Sequence, residues 1–222
     1  TSISSSLCAG NSATVTLTGP AANLPVGSYT VSYTLSAPNA VSTTKPMSVS
    51  VAGTGSFTTD ALPNVGATDI TITNLALGTC SNAVSSNNTA TIQVYEPASI
   101  SGHPAGTSVC AGGPIALHVT ASGSNLNYQW KLNGSNVGIN SPDYEVASAT
   151  SADAGSYTVE VTAACGNPAV SNAAVVTINE PTVITDVLPT PVLGCNNALI
   201  EYSIAATGND LHYQWQKNNT DI

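Results

Sequence analysis

The sequence predicts an all-β protein built from tandem sandwich domains, and three observations predict it. Apolar and polar residues alternate over several short runs, the pattern of half-buried strands. Clusters of Gly, Pro, Asn and Ser punctuate those runs. A block of motifs recurs along the chain, which marks a repeat architecture. Composition agrees with this. Only 7% of the 222 residues are charged and 42% are hydrophobic. The places of charged residues are taken by Ser, Thr, Asn, Ala and Val, which suit strands and turns. Disorder needs low hydrophobicity and high net charge, so it is excluded. No apolar run approaches the roughly 20 residues of a membrane helix. Lys and Arg together number 3 against 12 acidic residues, a net charge of −9. Nucleic-acid binding is excluded, because neutralising phosphates needs a basic surface, and an anionic membrane surface is disfavoured for the same reason. Thr1 is neither an initiator Met nor the start of a signal peptide, so a mature fragment is expected.

The repeat is clearest between residues 96–133 and 180–218. Each opens on Glu-Pro, at Glu96-Pro97 and Glu180-Pro181. Each continues to a Cys, at Cys110 and Cys195, and then to Tyr128-Gln129-Trp130 or Tyr213-Gln214-Trp215. Both Cys-to-Trp intervals are 20 residues, and the Glu-Pro pairs lie 84 residues apart. A first unit joins the series through Cys8-Ala9-Gly10, which matches Cys110-Ala111-Gly112. Apolar residues follow each Cys in one register: Ala13, Val15 and Leu17; Ile115, Leu117 and Val119; Ile200, Tyr202 and Ile204. The unit ends match as well, with Cys80-Ser81-Asn82 and Cys165-Gly166-Asn167. The expected domains are therefore 1–96, 97–181 and the opening part of a third, 182–222. Only seven residues precede Cys8 and the third unit stops soon after its Trp. A fragment cut at both ends from a longer array is expected.

The second unit assigns its own strands. Ile115, Leu117, Val119 and Ala121 alternate with polar or small residues, as do Leu126, Tyr128, Trp130 and Leu132, and Tyr157, Val159, Val161 and Ala163. One buried and one wet face per strand is the mark of an antiparallel sandwich. Asp153-Ala154-Gly155-Ser156-Tyr157 resembles the Asp-x-Gly-x-Tyr segment of the immunoglobulin superfamily, whose Tyr forms a tyrosine corner. Trp130 resembles that family's core Trp, and Trp215 stands in the same place in the third unit. The family's paired Cys positions fall at Val119 and Val159. The resemblance thus implies a Val–Trp–Val core in place of the inter-sheet disulfide. The first unit lacks these markers, but Gly27-Ser28-Tyr29-Thr30-Val31-Ser32-Tyr33-Thr34-Leu35 alternates like a strand, so a divergent sandwich is expected there.

The five cysteines divide as two, two and one among the units. Two readings stand: buried free thiols throughout, or one disulfide per unit, Cys8–Cys80 and Cys110–Cys165, leaving Cys195 without a partner. Recurrence along the chain favours the second reading. Against it, Cys110 closes the first strand region and Cys165 lies near a late turn, which a sandwich places at opposite ends, beyond the ~7 Å Cα reach of a disulfide. Paired cysteines would imply an oxidising, extracytoplasmic setting. No Cys-x-x-Cys or His cluster suggests a metal.

Motifs of chemistry are absent. His103 falls in a loop near a junction, and His118 and His212 fall on polar strand faces, where solvated His is expected. No Gly-x-Ser-x-Gly, His-Glu-x-x-His or phosphate loop occurs. Asp143 and Glu145 are spaced two apart on an expected strand, and surface carboxylates account for them better than a glycosidase pair does. Glu96 and Glu180 recur at the junctions, but one carboxylate per junction is thin for calcium, which takes six to eight oxygens. No catalytic residue, metal ligand or cofactor is expected.

The combination Cys-Ala-Gly, Tyr-Gln-Trp-Lys-Leu-Asn-Gly, Asp-Ala-Gly-Ser-Tyr-Thr-Val and Cys-Gly-Asn-Pro resembles repeats of large secreted proteins of the Bacteroidota. Gly53-Thr54-Gly55-Ser56-Phe57, with the 27–35 segment, is similar to a second repeat type of those proteins. They include giant surface adhesins, some serving gliding motility, exported by the type IX system. The resemblance implies an extracellular, non-catalytic stalk whose partners are neighbouring repeats and cell-surface components such as polysaccharide. Modules of this kind also serve as spacers or carbohydrate-binding units in secreted polysaccharide-degrading enzymes, which is the alternative expectation.

Overall fold

The computed structural model describes residues 2–3, 7–186 and 201–222; Cys195 and Ile200 lie outside them. The strands of the first part are β1 (Ser2–Ile3), β2 (Leu7–Cys8), β3 (Ser12–Thr18), β4 (Gly27–Leu35), β5 (Val41–Val51), β6 (Thr54–Ala61), β7 (Gly66–Leu77), β8 (Cys80–Ala83) and β9 (Thr89–Tyr95). Then come β10 (Ser99–Gly102), β11 (Thr107–Cys110), β12 (Ile115–His118), β13 (Thr120–Ser122), β14 (Asn127–Leu132), β15 (Ser135–Val137), β16 (Asp143–Val146), β17 (Gly155–Thr162), β18 (Ala169–Val170) and β19 (Ala174–Asn179). The last are β20 (Val183–Ile184), β21 (Ala206–Thr207), β22 (Gln216–Lys217) and β23 (Thr220–Asp221). Among the described residues the only helical element is a single 3-10 turn, Ser151–Asp153. Cα proximity groups those within Thr1–Gly102, Thr120–Tyr128 and Glu160–Val170 into one compact unit, and those within His103–Val119, Gln129–Val159 and Ser171–Ile222 into a second.

In the first unit one sheet runs β1-β3-β6-β5-β4-β7-β9-β2, with β8 paired to β7 off that path. Alternation decides which face each residue takes, because successive side chains of a strand point to opposite faces. Along β4, Tyr29, Val31, Tyr33 and Leu35 are buried. Along β7, Thr68, Ile70 and Ile72 are buried, and along β9, Ile92 and Val94. These rows close on Val15 and Phe57 in one apolar core. Tyr33 packs 5.4 Å from the Phe57 ring, and its hydroxyl is buried without a hydrogen-bond partner. Burial accordingly pushes its pKa up. The buried Asn39 is satisfied by its surroundings. Its amide donates to Asn64 O and Thr68 Oγ1, and its carbonyl accepts from Asn64 N. That arrangement ties the β4–β5 connection to the β6–β7 connection.

A second sheet runs β11-β19-β17-β14-β15, with β18 paired to β17, and two further pairs are β12 with β16 and β10 with β13. Trp130, Val119 and Val159 are each at most 1% exposed. Trp130 donates its indole N–H to Ser141 O at 3.0 Å, so its one polar atom is satisfied. Tyr144 lies 5.8 Å from Trp130 and 5.2 Å from Tyr157, forming a row of tilted rings. The strand expected over 115–121 is broken at Val119. β12 pairs β16, whereas β13 pairs β10 across a register shift between Ile100 and Gly102. The break lets one segment serve two sheets, and Val119 N donates instead to Pro142 O.

Tyr157 makes the tyrosine corner, donating its hydroxyl to Asp153 O at 2.8 Å. The Asp153 carboxylate accepts from both the backbone N–H and the hydroxyl of Thr150, which holds the turn feeding β17. Gly155 is the third necessary residue of this segment. Its φ is +149°, and a Cβ there would stand 2.5 Å from Asn133 Nδ2. Tyr29 repeats the arrangement in the first unit, donating to Pro25 O at 2.9 Å. The signal was in the sequence: Gly27-Ser28-Tyr29-Thr30-Val31 and Gly155-Ser156-Tyr157-Thr158-Val159 are the same pentapeptide.

Two five-strand runs share one order. β5-β4-β7-β9-β2 matches β15-β14-β17-β19-β11, and each has a short hairpin partner, β8 or β18, on its third strand. Each run ends in a parallel pair, with Cys8 opposite Tyr95 and Cys110 opposite Asn179. This layout corrects the disulfide pairs expected from the sequence. Cys8 lies at the Gly66 end of β7, since Gly66 is opposite Val94, while Cys80 lies opposite Leu77 at the other end. Twelve residues at about 3.3 Å each put roughly 40 Å between those ends. The second expected pair, Cys110–Cys165, is corrected as well, because Cys165 is bonded to Cys8 and Cys110 is free. Cys80 and Cys110 are exposed free thiols.

Three outcomes follow from this packing. Tyr157→Phe removes one hydrogen bond without changing ring burial, and denaturant unfolding should show a loss of about 1 kcal/mol. Gly155→Ala combines a positive φ with a clash, and the same measurement should give a loss of about 2 kcal/mol. Burial raises the pKa of both Tyr33 and Tyr157 above the ordinary 10.0. The unfolded chain then gives up protons at a pH where the folded chain keeps them, so stability falls as pH rises. The contribution is whole below about pH 10 and lost above it. Urea midpoints should hold level to about pH 9 and drop beyond pH 10, less steeply in Tyr157→Phe.

Candidate functional site

The titratable side chains are scattered rather than gathered. His118 and Asp143 face each other across β12 and β16, with Nδ1 and Oδ1 2.6 Å apart, and both are exposed. Glu145 is exposed on the same face of β16, opposite Ala116. His103 Nδ1 accepts the backbone N–H of Asn172, and His212 is exposed. Among the described residues no three His, Cys, Asp or Glu side chains come together as a metal site would need. No helix among them is long and apolar enough to cross a membrane.

A groove in the second unit is lined by Thr182, Ile184, Ala206, Leu211, Tyr213 and Trp215. Its walls are apolar, but their place in the repeat explains them. Leu211, Tyr213 and Trp215 correspond to Leu126, Tyr128 and Trp130 of the preceding repeat. Trp215 is 38% exposed where Trp130 is 0%. Tyr202 is likewise half exposed.

The feature with defined chemistry is a covalent clasp in the first unit. Cys8, closing β2, is bonded to Cys165 in the turn between β17 and β18, with a Cα separation of 5.6 Å. That distance lies in the ordinary disulfide range. The surroundings hold both cysteines in place. Ala9 N donates to Tyr95 O at 2.8 Å, and Cys165 Sγ lies 3.6 Å from the same oxygen. Glu96 N donates to Ser124 Oγ, Ser124 N donates to Glu96 O, and Ala164 N donates to Ser124 O. Gly166 packs so closely on Pro97 that a Cβ would stand 2.9 Å from the ring. Glu96 thus acts through its backbone at the Glu-Pro step, and its side chain is exposed. Glu180 repeats this role, donating its N–H to Asn209 Oδ1 at 2.6 Å. Cys8 and Cys165 are 157 residues apart in sequence. Closing so long a loop stabilises the folded chain by roughly 5 kcal/mol in the chain-entropy treatment. Pairing by repeat unit could not find this bond, because the two cysteines belong to different repeats. The signal available was the poor fit of Cys110 to Cys165.

Comparison with known proteins agrees with this architecture. The family model of the PKD domain matches residues 98–178. No curated protein matches the chain. Among solved structures, an I-band fragment of titin is 17% identical over 99% of this chain and 78% of that one, with a TM-score of 0.70. A three-Ig structure of titin carrying E-to-A mutations is also 17% identical, over 98% and 77% of the two chains, with a TM-score of 0.67. At such identity the likeness is one of fold. Together with the strand order and the tyrosine corner, it makes the chain an all-β array of tandem immunoglobulin-like domains.

Proposed function

We propose that this chain is a run of non-catalytic stalk repeats of a bacterial cell-surface adhesin, divided as 1–96, 97–181 and 182–222. The observation that carries the reading is the recurrence of one five-strand order in successive sandwiches, with titratable groups dispersed over their surfaces. Catalysis needs acids, bases or nucleophiles held within hydrogen-bond reach of one another and of a substrate. Here the polar surface is mostly Ser, Thr and Asn, and hydrogen-bonded side chains such as Asp153, Tyr157 and Trp130 hold turns and cores. The clasp adds support, since structural disulfides persist in oxidising compartments. The motif resemblance to Bacteroidota repeats supports display at the cell surface through type IX export, in a protein of the gliding-adhesin kind. Neighbouring repeats are then the first partners of each module, and surface polysaccharide is the class of ligand for the distal part of the molecule.

An antibody raised against this fragment tests the reading on fractionated producer cells. The expected result is a very large band in the surface fraction, removed by protease treatment of intact cells. A modest-sized protein released into the medium with polysaccharide-degrading activity would overturn it.

A further inference from the structure

Cys110 occupies the same backbone frame as Cys8. Each closes a short strand laid parallel to the last strand of its sandwich, opposite Tyr95 or Asn179. The next N–H, of Ala9 or Ala111, donates to the carbonyl of that opposite residue at 2.8 or 2.9 Å. Each Cys carbonyl then accepts a turn bond, from Asn11 N or Gly113 N. Leu62 N donates to Asn11 O as Ala149 N donates to Gly113 O. Cys8 is bonded in this frame, and Cys110 is exposed and free. The other class of cysteine is matched too. Cys165 lies in the turn from β17 to its hairpin partner β18, and Cys80 opens β8, the hairpin partner of β7.

The residues that bring the Cys165 turn to Cys8 recur beside Cys110. Glu96 with Ser124 is followed by Glu180 with Asn209. The pairing of β10 with β13 is followed by that of β20 with β21, Ser99 opposite Ser122 and Val183 opposite Thr207. Gly123 stands over Ala98 as Gly208 stands over Thr182. The frame that seats a following repeat against Tyr95 is therefore built a second time against Asn179.

We propose that Cys8–Cys165 is one rung of a staggered ladder, in which the strand-end cysteine of each repeat bonds the turn cysteine of the next. Cys110 pairs with a cysteine about 85 residues beyond Cys165, the interval that separates Cys80 from Cys165 and Cys110 from Cys195. Cys80 pairs with the strand-end cysteine of a repeat preceding Cys8. Each rung oxidises two thiols to one disulfide. The two electrons and two protons pass to the disulfide of an extracytoplasmic thiol–disulfide oxidant, which leaves as its dithiol. The inference rests on the repeat reading, and it holds whether the array belongs to an adhesin or to an enzyme.

Native protein from producer cells, alkylated without reduction, digested and analysed by mass spectrometry, tests the ladder. Two linkages are expected: Cys8 with Cys165, and Cys110 with a cysteine downstream of Ile222. In a Cys165→Ser variant, Cys8 should become alkylated and stay unpaired with Cys80. Recovery of Cys110 alkylated, linked to Cys80 or Cys195, or linked to Cys110 of a second copy overturns the ladder. Loss of the Cys8–Cys165 linkage does the same. The cell-fractionation result is independent of all these outcomes, so failure of the adhesin reading is told apart from failure of the ladder.

Discussion

A short strand laid parallel against the last strand of its own sandwich is the constraint on which the cysteine chemistry depends. Parallel pairing sends β2 and β9 toward the same end of the sheet, so Cys8 arrives beside Tyr95. The antiparallel β7 leaves its own turn, and Cys80 with it, at the far end. A strand-end cysteine therefore cannot reach the turn cysteine of its own sandwich. It is left at the Glu-Pro step, where Cys165 meets it. The direction of one short strand decides which thiols can react.

The cores are organised differently from that edge. Val119, Trp130 and Val159 are packed without exposure and without a covalent link. Dispersion contacts and the apolar area removed from water do the stabilising. The polar atoms that must be buried with them are satisfied locally, Trp130 by Ser141 O and Tyr157 by Asp153 O. Among the described residues Tyr33 is the exception, with a buried hydroxyl lacking a partner.

Much of this was legible in the sequence. Period-2 alternation placed Tyr157, Val159 and Val161 on one face, and they are fully buried. Asp-x-Gly-x-Tyr pointed to the corner that Tyr157 and Asp153 make. What could not be read lies where distance along the chain misleads. Cysteines were grouped by repeat, whereas the bond spans 157 residues and joins two repeats. The break at Val119 was hidden because both faces of the pattern stay alternating while the hydrogen-bond partners change from β16 to β10. The Tyr29 corner carries no acidic residue to mark it, because Pro25 offers only its carbonyl.

The clasp also has a mechanical meaning. A pull applied to the two ends of this chain passes from Cys8 through the sulfur bridge to Cys165 and leaves the 157-residue interval outside the force path. Extended, that interval is about 500 Å of chain. Drag or tethering force then unravels none of it while the bond is oxidised, and a reductant would bring its folded strands into the force path.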